Sequence, residues 1–230
     1  MTGFLASIKN IDEAKKIINS DIDIVDLKNV DDGALGFVGL NFIKKARLIL
    51  GQQKISVTLG NDFNPNNKHI ISMLPKIISK NIEYVKIGLF DKNMIEQHKI
   101  LLKKISFFKT KPICVLFADR TFDLNIIKKI IDIGYKGVMI DTFEKNFKSV
   151  TDILDYSEIK QFVLIAKKNK SICGLSGSLR INDIGLLKKL NPDFLGFRGQ
   201  LCSNNHDRSE IDIKLLEQVA VTIKSTAAGI

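Results

Sequence analysis

Eight times in succession the chain passes from a short apolar run through a polar or glycine-bearing loop into a longer segment of helical period. This repetition constrains the fold more than any single motif. The apolar runs occupy residues 4–8, 22–28, 54–59, 82–87, 111–117, 137–140, 171–175 and 194–197. The helical segments that follow them occupy 10–19, 40–50, 70–80, 92–107, 124–133, 157–168, 181–190 and 211–225. Asn10 serves as N-cap of the first, which turns Ala14, Ile17 and Ile18 inward. In the fourth, Met94, Ile95, Leu101, Leu102, Ile105 and Phe108 form one apolar face, and in the fifth Ile126, Ile127, Ile130 and Ile131 do so. Parallel strands are joined by helical crossovers and covered on both faces, so they read as near-continuous apolar runs. Eight units of about 29 residues each therefore predict a closed parallel (β/α)8 TIM barrel, somewhat below the ~250 residues typical of that fold. An open doubly wound sheet has the same alternation, but it expects a GxGxxG after the first strand, and the segment ASIKNID has none.

With 230 residues and 45% hydrophobic content the chain can bury one sizeable core, so a single domain over 1–230 is expected. No apolar run approaches the roughly 20 residues of a membrane span, and MTGFLASIKN lacks the order of a signal peptide. A soluble, cytoplasmic protein with no membrane partner is the expectation. Cys114, Cys173 and Cys202 are odd in number and widely spaced, and His69, His98 and His206 are equally scattered. They read as reduced thiols and isolated imidazoles, with no metal site. The net charge of +10 raises nucleic acid as a partner. The lysines, however, come as pairs spread around the chain, such as Lys15-Lys16, Lys103-Lys104 and Lys188-Lys189, in the middle or later part of helical segments. That placement describes a solvated outer face complementing helix dipoles, not a nucleic-acid stripe.

Two lysines are placed differently. Lys28 closes the second apolar run, where Asp26 shares its face two residues earlier, and Lys86 closes the fourth in Tyr84-Val85-Lys86-Ile87-Gly88. In a barrel, inward side chains of one layer come from alternate strands, and active sites lie at the C-terminal ends. Lys28, Lys86, Asp141 and Arg198 stand at the ends of the second, fourth, sixth and eighth strands. All four should converge on one mouth. Desolvation and neighbouring cations depress a lysine pKa, and a neutral amine attacks a carbonyl to give an imine, the electron sink of aldol chemistry. A second lysine and an aspartate would then move protons. The ordinary alternative is that Lys28 pairs with Asp26, or Lys86 with Asp141, as buried ion pairs. No cofactor is required on either account.

The last two units carry Gly174-Leu-Ser-Gly177-Ser178-Leu-Arg180 and Gly196-Phe-Arg198-Gly199. Loops in these two places often bind phosphate through backbone N–H groups, which makes Gly177, Ser178, Arg198 and Gly199 candidate ligands. Ser178 is also a candidate cap for the helix near Ile181. Asp119 and Arg120, just beyond the fifth strand, are further candidates at the same end.

DIVDLKN with GALG, YVKIGL, FAD at 117–119, MIDTFEKNFK, GLSGSL, and GFRGQLC followed by DRSEID occur in the order and spacing of one family. By these motifs the chain resembles the (5-formylfuran-3-yl)methyl phosphate synthases, which make the furan precursor of methanofuran. The resemblance runs over nearly the whole chain. It implies a barrel that joins two glyceraldehyde 3-phosphate molecules through a lysine Schiff base, losing one phosphate and two waters. Carried over by motif, it implies Lys28 as Schiff-base lysine, Lys86 as proton-transfer lysine, and Asp141 with Lys145 as the remaining catalytic pair; Asp26, on the face of Lys28, is a candidate substrate-binding residue. The chain departs from the family pattern at Val30, where proline is usual, and at FADRTF, where a tyrosine-containing stretch is usual. A class I aldolase or phosphosugar isomerase, or a non-catalytic protein that binds phosphorylated ligands or nucleic acid, would share much of this pattern. The sequence leaves a homo-oligomer open.

Overall fold

The computed structural model describes residues 2–144, 148–203 and 208–225. Its strands are β1 (Gly3–Ile8), β2 (Ile24–Leu27), β3 (Ile55–Thr58), β4 (Tyr84–Gly88), β5 (Lys111–Phe117), β6 (Gly137–Asp141), β7 (Ile172–Leu175) and β8 (Phe194–Phe197). Each pairs in parallel with its sequence neighbour, and β1 closes on β8 through Gly3↔Phe194 to Ala6↔Phe197. This is the (β/α)8 barrel that the alternation predicts.

Strand period then divides the apolar residues into two cores. One set, including Phe4, Ala6, Val25, Leu27, Val57, Val85, Cys114, Leu116, Val138 and Ile140, faces the helices. The other set, Leu5, Ile24, Ile113, Val115, Met139 and Phe194, fills the barrel. The interior is narrow enough to require glycine in β7: a Cβ at Gly174 would approach the Phe194 ring to 2.4 Å.

The covering helices are α1 (Ile11–Lys16), α2 (Leu40–Leu50), α3 (Lys68–Ile78), α4 (Ile95–Lys104), α5 (Leu124–Asp132), α6 (Val150–Ile153), α7 (Tyr156–Lys168), α8 (Asp183–Lys188) and α9 (Ile213–Lys224). Among the described residues no helix is long and apolar enough to cross a membrane. Three local expectations are corrected. The first helix stops at Lys16, so Ile18 lies 52% exposed instead of inward. The fourth begins as a 3₁₀ turn at Lys92–Met94 and ends at Lys104; Phe108, read as part of its apolar face, adopts φ +46° and is 87% exposed. The loop after β6 contains the short helix α6, whose start is fixed by a reciprocal cap between Ser149 and Asp152.

Of the three histidines, His98 is buried on α4, where its Nδ1 shares a 2.6 Å hydrogen bond with the Tyr135 hydroxyl. Burial lowers its pKa from 6.5 to about 4. The folded protein therefore holds this ring neutral down to about pH 4, while the unfolded chain takes up a proton below about 6.5. Stability from this site is complete above pH 6.5 and is lost as the pH falls, by roughly 3 kcal/mol at pH 4. Urea midpoints from pH 7 to 4 should fall more steeply for the wild type than for His98→Gln. Parallel curves would mean that the ring titrates normally in the fold.

Candidate active site

The strands of the barrel carry their inward residues to one polar mouth: Ser7 from β1, Asp26 from β2 with Lys28 just past its end, Lys86 from β4, Asp141 from β6 and Arg198 just past β8. All six are buried. The two lysines do pair with the two aspartates, but in the crossed sense: Lys86 Nζ lies 2.6 Å from Asp26 Oδ2, and Lys28 Nζ lies 3.4 Å from Asp141 Oδ2. The reason is axial. A strand rises about 3.3 Å per residue, so Lys28 stands about 7 Å beyond Asp26 and reaches the outer layer that Asp141 occupies. Lys86, one layer deeper, meets Asp26 instead. The Ser7 hydroxyl donates to the same Asp26 oxygen at 2.8 Å, and Asp141 Oδ1 accepts the Thr142 N–H at 2.8 Å. Asp26 Oδ1 and its ladder neighbour Ser56 Oγ are buried with no partner among the described residues. Buried polar atoms are nearly always hydrogen-bonded, and a role in catalysis is one reason for an exception.

Beside these pairs a cavity of about 290 Å³ is lined by Ser7, Lys86, Asp141, residues 176–180 and 196–200, and Arg208. Gly177 makes the wall possible. It has φ +96°, and a Cβ there would come within 2.9 Å of the Thr142 nitrogen. Ser178 follows with φ +52°. Among the described residues the backbone N–H groups of Gly177, Ser178 and Leu179 take no protein acceptor. Ser178 does not cap the next helix, contrary to the expectation from sequence. Asn182 stands at that position with no side-chain bond, and Asp183 Oδ2 accepts the Arg180 N–H instead.

Arg198, a candidate phosphate ligand from sequence, lines the cavity but has its guanidinium engaged within the protein. The guanidinium is held in a two-pronged pair with buried Glu13, at 2.7 and 2.9 Å. Its other donors go to the carbonyls of Ser7, Arg208 and Ser209. Asp119 is likewise occupied, its two oxygens accepting the N–H groups of Phe143 and Glu144 at 2.7 and 2.8 Å. It shapes the loop after β6 and does not line the cavity. Arg120 lies 3.6 Å over the Phe143 ring. Lys145 lies outside the described residues.

Sequence reasoning missed Glu13, Ser7 and Arg208. Glu13 sits in the first turn of a helix, where an acidic residue complements the dipole and looks like surface. Arg208 was within reach, since it stands in the DRSEID segment that follows GFRGQLC.

A closed (β/α)8 barrel whose C-terminal mouth gathers paired lysines and carboxylates beside a cavity is an enzyme architecture. Among solved structures the fold is shared with phosphoribosylanthranilate isomerase from Thermotoga maritima (TM-score 0.67, 13% identity, 97% of this chain and 99% of that one). KGPDC from Streptococcus mutans also shares it (TM-score 0.67, 11% identity, 97% of each chain). A family model described as 4-HFC-P synthase matches residues 4–220. The (5-formylfuran-3-yl)methyl phosphate synthase of Methanosarcina mazei is 31% identical over 219 residues, covering 89% of this chain and 92% of that one. The Methanococcus aeolicus enzyme of the same name is 30% identical over 230 residues, with coverage of 94% and 97%. The chain belongs to the 4-HFC-P synthase family, a family of enzymes.

Proposed function

We propose that the protein is a (5-formylfuran-3-yl)methyl phosphate synthase that joins two molecules of glyceraldehyde 3-phosphate through an imine on Lys28. One phosphate and two waters leave as the furan closes, which balances two trioses against one six-carbon furan phosphate. The observation that carries this reading is the crossed set of two buried lysine–aspartate pairs at successive depths of one mouth. An ordinary structural ion pair needs one lysine; this mouth holds two, with a carboxylate for each. Lys28 is the outer amine and has the longer contact with its carboxylate, so it is assigned attack on the substrate carbonyl. The imine withdraws electrons from the next carbon. Lys86 and Asp26, with its orphaned oxygen, are assigned removal and return of the proton there, and Asp141 the proton transfers at the imine. Lys145 is assigned the remaining proton transfer by the family resemblance. The substrate phosphate is placed against the N–H groups of Gly177, Ser178 and Leu179, with Gly199 opposite.

The test is incubation with glyceraldehyde 3-phosphate, with the furan product sought by absorbance and mass, followed by borohydride trapping. A reduced adduct on the peptide that contains Lys28 is expected. An adduct on Lys86 alone would reverse the two roles, and none at all would remove imine chemistry. A six-carbon sugar phosphate in place of a furan would make the protein an ordinary aldolase.

A further inference from the structure

Among the described residues, the pairing of charges at the mouth leaves one cation over. Lys28 is matched by Asp141, Lys86 by Asp26 and Arg198 by Glu13. Arg208 has no carboxylate within 4 Å among the described residues, and its guanidinium makes a single 3.4 Å contact with the Val30 carbonyl. It is nevertheless half-buried and lines the cavity beside Asp141 and the Gly177–Leu179 turn. A cation taken partly out of water without a partner is unfavourable unless an anion arrives. Burial lowers its pKa; the more distant charge of Asp141 acts in the opposite direction, and the Arg198 cation adds to the lowering.

The backbone beneath Arg208 is held in place. Its φ is +53°, a left-handed conformation that a non-glycine residue keeps only where its surroundings impose it. What imposes it is Arg198: Nε and Nη2 donate to the Arg208 carbonyl at 3.2 and 2.7 Å, and Nη2 also to the Ser209 carbonyl at 3.1 Å. Arg198 is itself gripped by Glu13. A chain of contacts thus runs from α1, through the end of β8, to the side chain aimed at the cavity.

We infer that Arg208 is the residue that binds the substrate's phosphate, pairing its guanidinium with the phosphate oxygens opposite the Gly177–Leu179 N–H groups, while Arg198 acts only to position it. The inference rests on the reading that the cavity takes a phosphorylated triose, and it names the charge that would select such a substrate over an unphosphorylated one. A guanidinium suits this because its fork of donors matches phosphate oxygens two at a time.

Inorganic phosphate is the probe, because it tests binding without turnover. Titrated calorimetrically into the full chain, it should bind wild-type protein, and Arg208→Gln should bind it about 10- to 100-fold more weakly, the loss expected for one charge-assisted contact. Arg208→Lys, which keeps the charge and loses the fork, should fall between. Among the described residues neither change removes more than the one long contact to Val30, so melting without phosphate should match the wild type. If Arg208→Gln does not fold, the comparison of Arg208→Lys with wild type decides. Equal phosphate affinity in a folded variant, or no phosphate binding by the wild type, would overturn the inference. A furan that never forms, with phosphate binding still lost in Arg208→Gln, would instead overturn the proposed reaction and leave this site standing.

Discussion

Arg198→Ala is expected to cost about 3–5 kcal/mol of stability, far more than it costs through any direct loss of substrate contact. Glu13 is 4% exposed, and without the guanidinium its carboxylate keeps, among the described residues, only the Lys9 N–H at 2.8 Å. The carbonyls of Ser7, Arg208 and Ser209 lose their donors from this side chain at the same time. Urea denaturation should show a lowered midpoint with an unchanged slope. The double variant with Glu13→Ala should recover part of the loss, since it removes the stranded charge. A single Arg198→Ala change that left the midpoint where it was would show that Glu13 does not hold this arginine.

Lys28→Arg should be inactive in a protein of nearly wild-type stability. Arginine keeps the positive charge opposite Asp141 but cannot lose a proton and attack a carbonyl, so furan formation should drop on the order of 10⁴-fold or more. The contrast with Lys86 is informative. Lys86→Met would leave Asp26, which is fully buried, without a counter-charge and with only the Ser7 hydroxyl among the described residues, whereas Asp141 at the mouth retains its bond from the Thr142 N–H. Lys28 variants should therefore separate activity from folding, and Lys86 variants should mix the two. Initial rates by furan absorbance, read beside thermal melts, decide the matter. A Lys28→Arg protein with a tenth or more of the wild-type rate would take the imine off this residue.

The barrel was legible because its signal is repeated eight times and each repeat is long. An error in one helix, such as the premature end at Lys16, leaves the count intact. Convergence of Lys28, Lys86, Asp141 and Arg198 was legible for the same reason: parity along a strand and alternation between strands are properties of sequence position. Partnership was not. Asp26 and Lys28 share a face, yet their depths differ by two residues, and depth in a closed barrel depends on stagger between strands that no local pattern reports. Arg198 shows the other limit. Its place at the mouth followed from chain order, but the direction of its guanidinium was decided by Glu13, 185 residues away in sequence.

That distance has a consequence for how the chain comes to be folded. The first strand, β1, pairs on one side with β8, and the acid in the first turn of the helix after it is neutralised by the residue that follows β8. A nascent chain that has not yet delivered β8 carries an open sheet edge at β1 and an unanswered Glu13. Sealing the ring and completing the polar mouth are then one event that waits for β8 to emerge, so that a product truncated before it carries Lys28 and Lys86 in a barrel that has not closed.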